Sequence, residues 1–175
     1  NIRSIMKALF ITVKDLKAKS IISGTTDGDK LIHFIEVAQD IHIQNYLGGK
    51  LYDKLQALII SGEIDDAGNS DYKALRDDYI KPMLTWFTQS EYLPFAMFKI
   101  DNGGVSKHRG EESDNVNYGD IDRMMSKIND RSEFYTRRFL DYICFNSNKF
   151  PEYTNNQNGD MYPDKDTDTF SSWVL

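Results

Sequence analysis

The sequence predicts a mainly α-helical single domain, a bundle of about four main helices. Three stretches support this fold class, residues 30–60, 70–97 and 120–143, because their apolar side chains recur every three or four positions. This recurrence gathers the apolar side chains on one face of a helix, which must then be buried against a core. The sequence also predicts a long loop or β-hairpin between the third and fourth helices, and an extended C-terminal arm after the fourth.

The first stretch holds two helices that meet at Gly48 and Gly49. Glycine at this point favours the left-handed backbone conformation that ends a helix. The helical period resumes at Leu51 and stops at Ser61 and Gly62. We therefore predict a helical hairpin with a two-glycine hinge. The residues predicted to face the core from the first of its helices are Leu31, Phe34, Ile35, Ala38, His42, Asn45 and Tyr46.

The N-terminal region is predicted to contain an extended segment at residues 9–11, followed by a short helix. Thr12 precedes Asp15 by three residues, which is the spacing of a helix start: the hydroxyl accepts from a free amide and the carboxylate favours the positive end of the helix. In the turn at residues 24–29, threonine and aspartate side chains are suited to capping the first main helix.

The third helix is the most aromatic and is predicted to be the centre of the core. Its apolar phase continues through Pro82 and Pro94. An interior proline costs about 3 kcal/mol, so kinks or restarts are expected there within one helical track. The residues predicted to face the core are Tyr72, Leu75, Tyr79, Met83, Trp86, Phe87, Ser90, Leu93 and Met97.

The fourth helix is predicted to begin at Asp120, and the chain divides into a helical domain at residues 1–150 and an extended arm at 151–175. The domain includes a protruding loop at 101–118, whose glycines and charges leave few apolar anchors. A loop this long within a compact domain is usually functional. If it forms a hairpin, its predicted arms are residues 105–108 and 116–118. We expect this loop to contact a neighbouring subunit or ring.

The polar side of the fourth helix is sorted by charge. A basic edge contains Arg123, Lys127, Arg131 and Arg138, with Phe134 among them, and an acidic edge contains Asp122, Asp130 and Glu133. Two interpretations remain open, a solvated helix face and a side-by-side contact between subunits. Further candidate contact residues are Val105 and Lys107 in the loop, and Tyr153, Tyr162, Phe170 and Trp173 in the arm.

Composition and motifs favour neither an enzyme nor a cofactor-binding protein. His33 and His42 lie on opposite faces of one helix, so His42 is interpreted as a hydrogen-bonded core residue and Cys144 as a buried, inert thiol. Asp164, Asp166 and Asp168 alternate as in a calcium loop, but Thr169 stands where that loop needs glycine. The net charge of −6 argues against general nucleic-acid binding, and no apolar run reaches the roughly 20 residues of a membrane span.

Several short pieces, taken in order, resemble the head-to-tail connector (adaptor or ring) proteins of tailed bacteriophages, in particular those of crAss-like and other phages of Bacteroidetes. The resemblance covers residues 8–153. Its pieces are Leu9-Phe10-Ile11-Thr12 with Asp15-Leu16, Ile21-Ile22-Ser23-Gly24, Ala38-Gln39-Asp40-Ile41-His42-Ile43-Gln44 with Leu47-Gly48 and Leu51-Tyr52, Tyr79-Ile80-Lys81-Pro82, Asn102-Gly103-Gly104-Val105, Phe134-Tyr135 with Arg137-Arg138-Phe139, and Phe150-Pro151-Glu152-Tyr153.

This resemblance implies a structural virion protein of the phage neck that is assembled in the cytoplasm of the bacterial host. Its implied partners are copies of itself in a closed ring, typically a dodecamer, the portal protein and other neck or tail rings. Duplex DNA would pass through the channel without specific binding, and no membrane, metal or cofactor is implied. The alternatives are a helical adaptor or regulatory module, monomeric or dimeric, and a small metal-dependent hydrolase that uses the Asp and Glu clusters.

Overall fold

The computed structural model describes residues 7–96, 98–101, 104–107, 118–155 and 161–165. It confirms a mainly α-helical single-domain bundle. The elements are α1 (Val13–Lys19), α2 (Gly28–Ala38), α3 (Gln44–Ser61), α4 (Ser70–Ala74), α5 (Lys81–Ala96), β1 (Phe98–Asp101), β2 (Gly104–Lys107), α6 (Tyr118–Phe145) and α7 (Pro151–Thr154). Helix α5 is central, since it packs against both α2 and α6.

Helices α2 and α3 form one interrupted track. A π-helical turn, Gln39–Ile43, joins them, and the backbone leaves the helical region at Gly48. The predicted break at this glycine is confirmed. Its φ of 71° is positive as expected, but its ψ of 164° differs from that of a left-handed helix end and lies in a region that essentially only glycine occupies. The left-handed cap is instead Gly62, with φ 78° and ψ −1°.

The third predicted helix is also continuous in the structure and contains a π-helical turn. Helix α4 runs through Leu75–Ile80 into α5, and Pro82 follows this wider turn at the second position of α5. A π-helical turn is a local change in hydrogen-bond register, which is one way in which a helix accommodates a residue that lacks an N–H. Pro94 lies in the last turn of α5.

Strands β1 and β2 form an antiparallel pair in which Phe98 lies opposite Lys107 and Asp101 opposite Gly104. The sequence predicted arms at 105–108 and 116–118, and this pairing is wrong: residues 104–107 pair with residues 98–101, which follow the predicted third helix. Tyr118 is instead the first residue of α6, two positions before the predicted start.

The N-terminal segment is extended as predicted, and buried glutamines hold it. Gln39 accepts a hydrogen bond from the Phe10 amide at 2.9 Å and donates to the Ala8 carbonyl at 2.9 Å. Gln56 pairs with the amide and the carbonyl of Ala8 at 2.7 and 2.8 Å. These side-chain amides bond the backbone of the segment in place of a neighbouring strand. The predicted helix start at Thr12 is confirmed as a capping box with Asp15.

Helices α5 and α6 bury small polar residues that satisfy their hydrogen bonds within their own helix. Thr85 and Thr88 on α5 donate to the carbonyls four residues earlier, and Ser132 and Thr136 do the same on α6. All four side chains are buried. Because each hydroxyl is paired within its own helix, these residues are buried without an unsatisfied donor.

Residues 150–154 pack onto the bundle. Phe150 and Tyr153 are buried to 0% and 1% exposure, and α7 lies against α3. The packed core therefore extends through α7. Tyr153 was predicted to contact a partner, but its ring lies in the core of this chain. The Lys165 ammonium lies over the ring, 5.0 Å from its centroid.

Residues 161–165, which we call the strap, cross the break in α3. The Gly49 amide donates to the Met161 carbonyl at 2.9 Å, and the Asp164 amide donates to the Asn45 carbonyl at 2.9 Å. A Cβ atom on Gly48 would lie 2.8 Å from Cδ of Pro163, which is buried. The strap therefore explains why the break needs glycine for space as well as for conformation.

Candidate functional site

The exposed side of α6 carries a continuous line of large side chains, which we call the α6 stripe. Its members are Arg123, Lys127, Arg131, Phe134, Arg138, Asp141 and Phe145. They are three or four residues apart, so the helical repeat aligns them along one face. Phe134 is 60% exposed and Phe145 is 88% exposed. Isolated exposed phenylalanines are ordinary, but two on one helix face together with arginines are typical of a contact surface.

Two arginines of the stripe are held by aromatic rings of the neighbouring helical track. The Arg131 guanidinium lies over the Trp86 ring at 4.7 Å, and the Arg138 guanidinium lies over the Tyr79 ring at 5.3 Å. Tyr79 is itself stacked on Tyr142, with ring centroids 3.9 Å apart. Such contacts contribute about 0.5–1 kcal/mol at exposed sites. They also restrict the guanidinium groups and so reduce the entropy lost when a partner binds.

A shallow, open groove of about 480 Å³ lies along the C-terminal half of the stripe. Its apolar walls are Phe134 and Phe145, and its polar groups include Arg138 and Asp141. The stacked rings of Tyr79 and Tyr142 also line it. Burial raises the pKa of Tyr142 above its ordinary value of 10.0, and the hydroxyl is neutral at physiological pH. The groove therefore offers aromatic surface, the Asp141 carboxylate and two arginines, of which Arg138 is held over Tyr79 and Arg137 is paired with Glu133.

The N-terminal half of the stripe is more polar and more exposed. The side chains of Arg123 and Lys127 are 86% and 77% exposed. The Arg123 guanidinium lies 3.9 Å from the Asp120 carboxylate, and the Lys127 ammonium lies 3.5 Å from the Asp130 carboxylate. The basic and acidic edges therefore meet more closely than the sequence predicted, because residues three apart on a helix are neighbours. Exposed pairs of this kind are worth about 0–1 kcal/mol, so these cations remain accessible to a partner.

The remaining predicted contact residues lie on the strap, on β2 and in the C-terminal residues of the chain. Tyr162 is 57% exposed on the strap. Val105 and Lys107 lie on β2, whose side chains are outside the described part of the structure, and Phe170 and Trp173 also lie outside the described residues. The structure thus brings together Arg131, Phe134 and Arg138 on one exposed helix face.

His42 is hydrogen-bonded and half-buried, in agreement with its interpretation as a structural residue. Its Nε2 atom lies 2.8 Å from the Glu91 carboxylate, and its ring is stacked on Phe87 with centroids 4.0 Å apart. Burial lowers the pKa of His42, although the hydrogen bond with Glu91 opposes that effect. Cys144 is exposed, so its predicted burial is wrong. The residue follows Ile143 on α6, and one step along a helix turns a side chain by about 100°, away from the core.

No metal centre is found in the described ranges. Among those residues, no three His, Cys, Asp or Glu side chains are close enough to hold an ion. Two members of the alternating aspartate series, Asp166 and Asp168, lie outside the described residues, as do Glu111, Glu112 and Asp114 of the long loop. No described helix combines the length and the apolar character that crossing a bilayer requires.

Sequence reasoning missed Phe145 and Asp141 as members of the stripe, although both continue the spacing of three and four residues beyond Arg138. It also missed the strap, since Pro163 contacts a glycine more than a hundred positions earlier in the chain and no local pattern marks that contact.

The fold and the site define a mainly α-helical domain with an exposed aromatic and cationic contact face. The chain belongs to a protein family of unknown function, DUF6712, whose model matches residues 43–162. That range contains the break at Gly48, helix α6 and the first residues of the strap. No curated protein and no solved structure matches the chain.

Proposed function

We propose that this protein is a structural subunit of the neck of a tailed bacteriophage, where it forms a closed ring between the portal and the tail. The ordered resemblance across residues 8–153 supports this function, and the mainly helical fold agrees with it. The ring would be a dodecamer, assembled in the bacterial cytoplasm and retained in the virion. Its partners would be the portal protein and the adjoining neck or tail rings.

The observation that carries the proposal is the α6 stripe. A cyclic ring needs a heterologous contact, in which one surface of each subunit meets a different surface of the next. The stripe supplies one such surface, because Phe134 and Phe145 offer apolar area and Arg131 and Arg138 offer restrained cations. Aromatic residues and arginine are the side chains enriched at such contacts.

DNA is proposed to pass through the ring without binding to it. The subunit carries a net charge of −6, so a ring of such subunits repels phosphate over most of its surface. Each phosphate that a protein neutralises adds a counterion-release contribution to affinity, and a channel lined with cations would hold the genome in place. The cations of the stripe are therefore assigned to contacts between proteins.

The test is co-expression with the portal protein encoded by the same genome, followed by light scattering and electron microscopy of the purified complex. We expect a ring of this chain attached to the portal, and no appreciable binding of duplex DNA by the free chain at physiological salt. Arg123→Glu with Lys127→Glu should impair assembly. Lys14→Glu with Lys30→Glu is the control, since both lysines are exposed, lie off the stripe and give the same charge change.

Two outcomes would contradict the proposal. A chain that stays monomeric or dimeric beside the portal would favour the helical adaptor. Tight, salt-sensitive DNA binding that is abolished by the Arg123 and Lys127 changes would assign the stripe to nucleic acid.

A further inference from the structure

The α6 groove has a chemistry that indicates what should bind in it. Phe134 and Phe145 are exposed at positions 11 residues apart, which corresponds to about 16 Å along a helix. Arg138 lies between them, and its guanidinium is held over the Tyr79 ring. A fitting partner is therefore a narrow segment that brings carboxylates to the arginine and aromatic rings to the phenylalanines.

One segment of the chain itself has that composition. Residues 166–175 contain Asp166, Asp168, Phe170 and Trp173 and no lysine or arginine. The aspartates alternate with threonines and precede the aromatic residues, so the carboxylates are grouped at one end of the segment and the aromatic rings follow. Carboxylates matched to arginine and aromatic rings matched to phenylalanine make the segment and the groove complementary in charge and in polarity.

The strap fixes the position of the residues that directly precede this segment. The Asp164 amide is bonded to the Asn45 carbonyl, and Lys165 lies over Tyr153. Ten residues beyond Lys165 reach up to about 33 Å when fully extended, which is about twice the distance from Phe134 to Phe145. The segment is therefore long enough to follow the whole length of the groove.

From this complementarity, and resting on the proposed function, we infer that the groove of one subunit binds residues 166–175 of the neighbouring copy. A segment and a groove are unlike surfaces carried by the same chain, which is what a heterologous contact in a closed ring requires. Restrained arginines and a few large rings give such a contact affinity at a low cost in side-chain entropy.

The first experiment uses a fluorescent synthetic peptide of residues 164–175. The receptor is the full chain with Phe170→Ala and Trp173→Ala, so that its own segment competes weakly. We expect saturable binding by fluorescence anisotropy. Phe134→Ala and Phe145→Ala in the receptor should each weaken binding by about tenfold, the equivalent of about 1.4 kcal/mol. Arg138→Glu should weaken it similarly and remove its salt dependence.

Matched controls keep this experiment specific. Phe95→Ala removes a phenylalanine that is 55% exposed on α5, comparable with Phe134, and Lys30→Glu repeats the charge change of Arg138→Glu at an exposed site off the stripe. Both variants should bind the peptide as the receptor does. Absence of peptide binding, or equal binding by the groove variants and the controls, would overturn the inference.

The second experiment asks whether the contact joins two subunits. The full chain with Phe170→Ala and Trp173→Ala has an intact groove and an altered segment. The full chain with Phe134→Ala, Phe145→Ala and Arg138→Glu has an intact segment and an altered groove. Mixed together at high concentration, they should form a one-to-one dimer in sedimentation velocity, while each alone should form none. A mixture without this dimer would overturn binding between copies, because a segment that folds back on its own groove needs no second chain.

These results separate the inference from the proposed function. Failure of both experiments, with portal-bound rings still formed, would overturn only the assignment of the groove. Success of both, without any association with the portal, would support the groove and overturn the neck function.

Discussion

Two extended segments pack on the helical bundle, and they are held in different ways. The N-terminal segment, residues 8–11, is bonded by the side chains of Gln39 and Gln56 and buries Phe10 and Ile11 to 2% and 1% exposure. The C-terminal strap, residues 161–165, is bonded mainly through backbone groups next to Gly48. Only its proline is buried, while Met161 and Tyr162 are 46% and 57% exposed.

This difference separates a segment that belongs to the core from one that is docked on the surface. Burying two large apolar side chains contributes about 1.5–3 kcal/mol each, and the N-terminal segment has this gain in addition to its hydrogen bonds. The strap has little apolar burial and depends on close backbone approach. We therefore expect changes under the N-terminal segment to destabilise the whole domain, and changes under the strap to act more locally.

The largest effect is expected from Gln39→Leu. Leucine is similar in size but cannot bond the Phe10 amide, the Ala8 carbonyl or the Tyr52 hydroxyl, which all contact the Gln39 amide within 3.0 Å. The Phe10 amide would lose its partner at a cost of about 1–3 kcal/mol, and the Ala8 carbonyl and the Tyr52 hydroxyl would each lose one of two bonds, so the free energy of unfolding should fall by about 3 kcal/mol. Urea denaturation followed by circular dichroism measures this loss.

Gln44→Leu is the matched control for that prediction. Gln44 follows the same π-helical turn and is half-buried, and it makes none of these contacts. Its replacement should change the free energy of unfolding by about 0.5 kcal/mol or less. Similar losses in the two variants would mean that the glutamine contacts do not hold the N-terminal segment.

The second effect is expected from Gly48→Ala. The new Cβ atom would lie 2.8 Å from Cδ of Pro163 and 2.9 Å from the Met161 carbonyl oxygen, at a φ of 71°. The backbone strain costs about 1–3 kcal/mol, and the strap must also move away. We expect a loss of about 2–3 kcal/mol in the free energy of unfolding, together with faster proteolysis within residues 156–165.

Gly62→Ala tests the cost of backbone strain at a positive φ without a steric clash of the new Cβ atom. Gly62 also has a positive φ, 78°, but a Cβ atom there would meet nothing within 4 Å. The variant should lose about 1 kcal/mol in the free energy of unfolding and show no change in proteolysis near the strap.

Pro163→Ala removes the ring that Gly48→Ala displaces, so the double variant of Gly48 and Pro163 should lose less stability than the sum of the two single changes. Strict additivity would contradict a steric role for Pro163.

The same comparison shows which parts of the fold were predictable from the sequence. The helices were predictable because their apolar period is local, and the break at Gly48 and the cap at Thr12 were predictable because single residue types determine them. The extended conformation of residues 9–11 was predicted, but the glutamines that hold it were not. A glutamine inside a helix gives no local signal of the distant backbone that it will bond.

The candidate site was predictable in part for the same reason. Arg131, Phe134 and Arg138 share one helix face, so their spacing was sufficient to group them. The rings that hold the arginines, Trp86 and Tyr79, belong to another helical track and were assigned to the core. The placement of the hairpin failed because short strands depend on pairing between segments more than on propensity.

The smallest effect concerns the other side of the turn that carries Gln39. The amide side chains of Gln39 and Gln56 do not titrate between pH 5 and pH 7, so their bonds to the N-terminal segment should not depend on pH. His42 lies in the same π-helical turn as Gln39, and it does titrate. Burial lowers the pKa of His42 from its ordinary value of 6.5, with Glu91 in opposition. As the pH falls below 6.5 the unfolded chain binds this proton first, so the free energy of unfolding should decrease until the pKa of the folded state has been passed.

The variant that tests this effect is His42→Gln, which retains a donor for Glu91 and cannot titrate. Between pH 7 and pH 5 the wild-type free energy of unfolding should fall relative to the variant, because burial lowers the pKa of His42 in the folded state. Above pH 7 the difference between the two proteins should be constant, because His42 is then neutral in both states. A wild-type stability that rises relative to the variant as the pH falls would mean that Glu91 outweighs burial and that the histidine is charged in the fold.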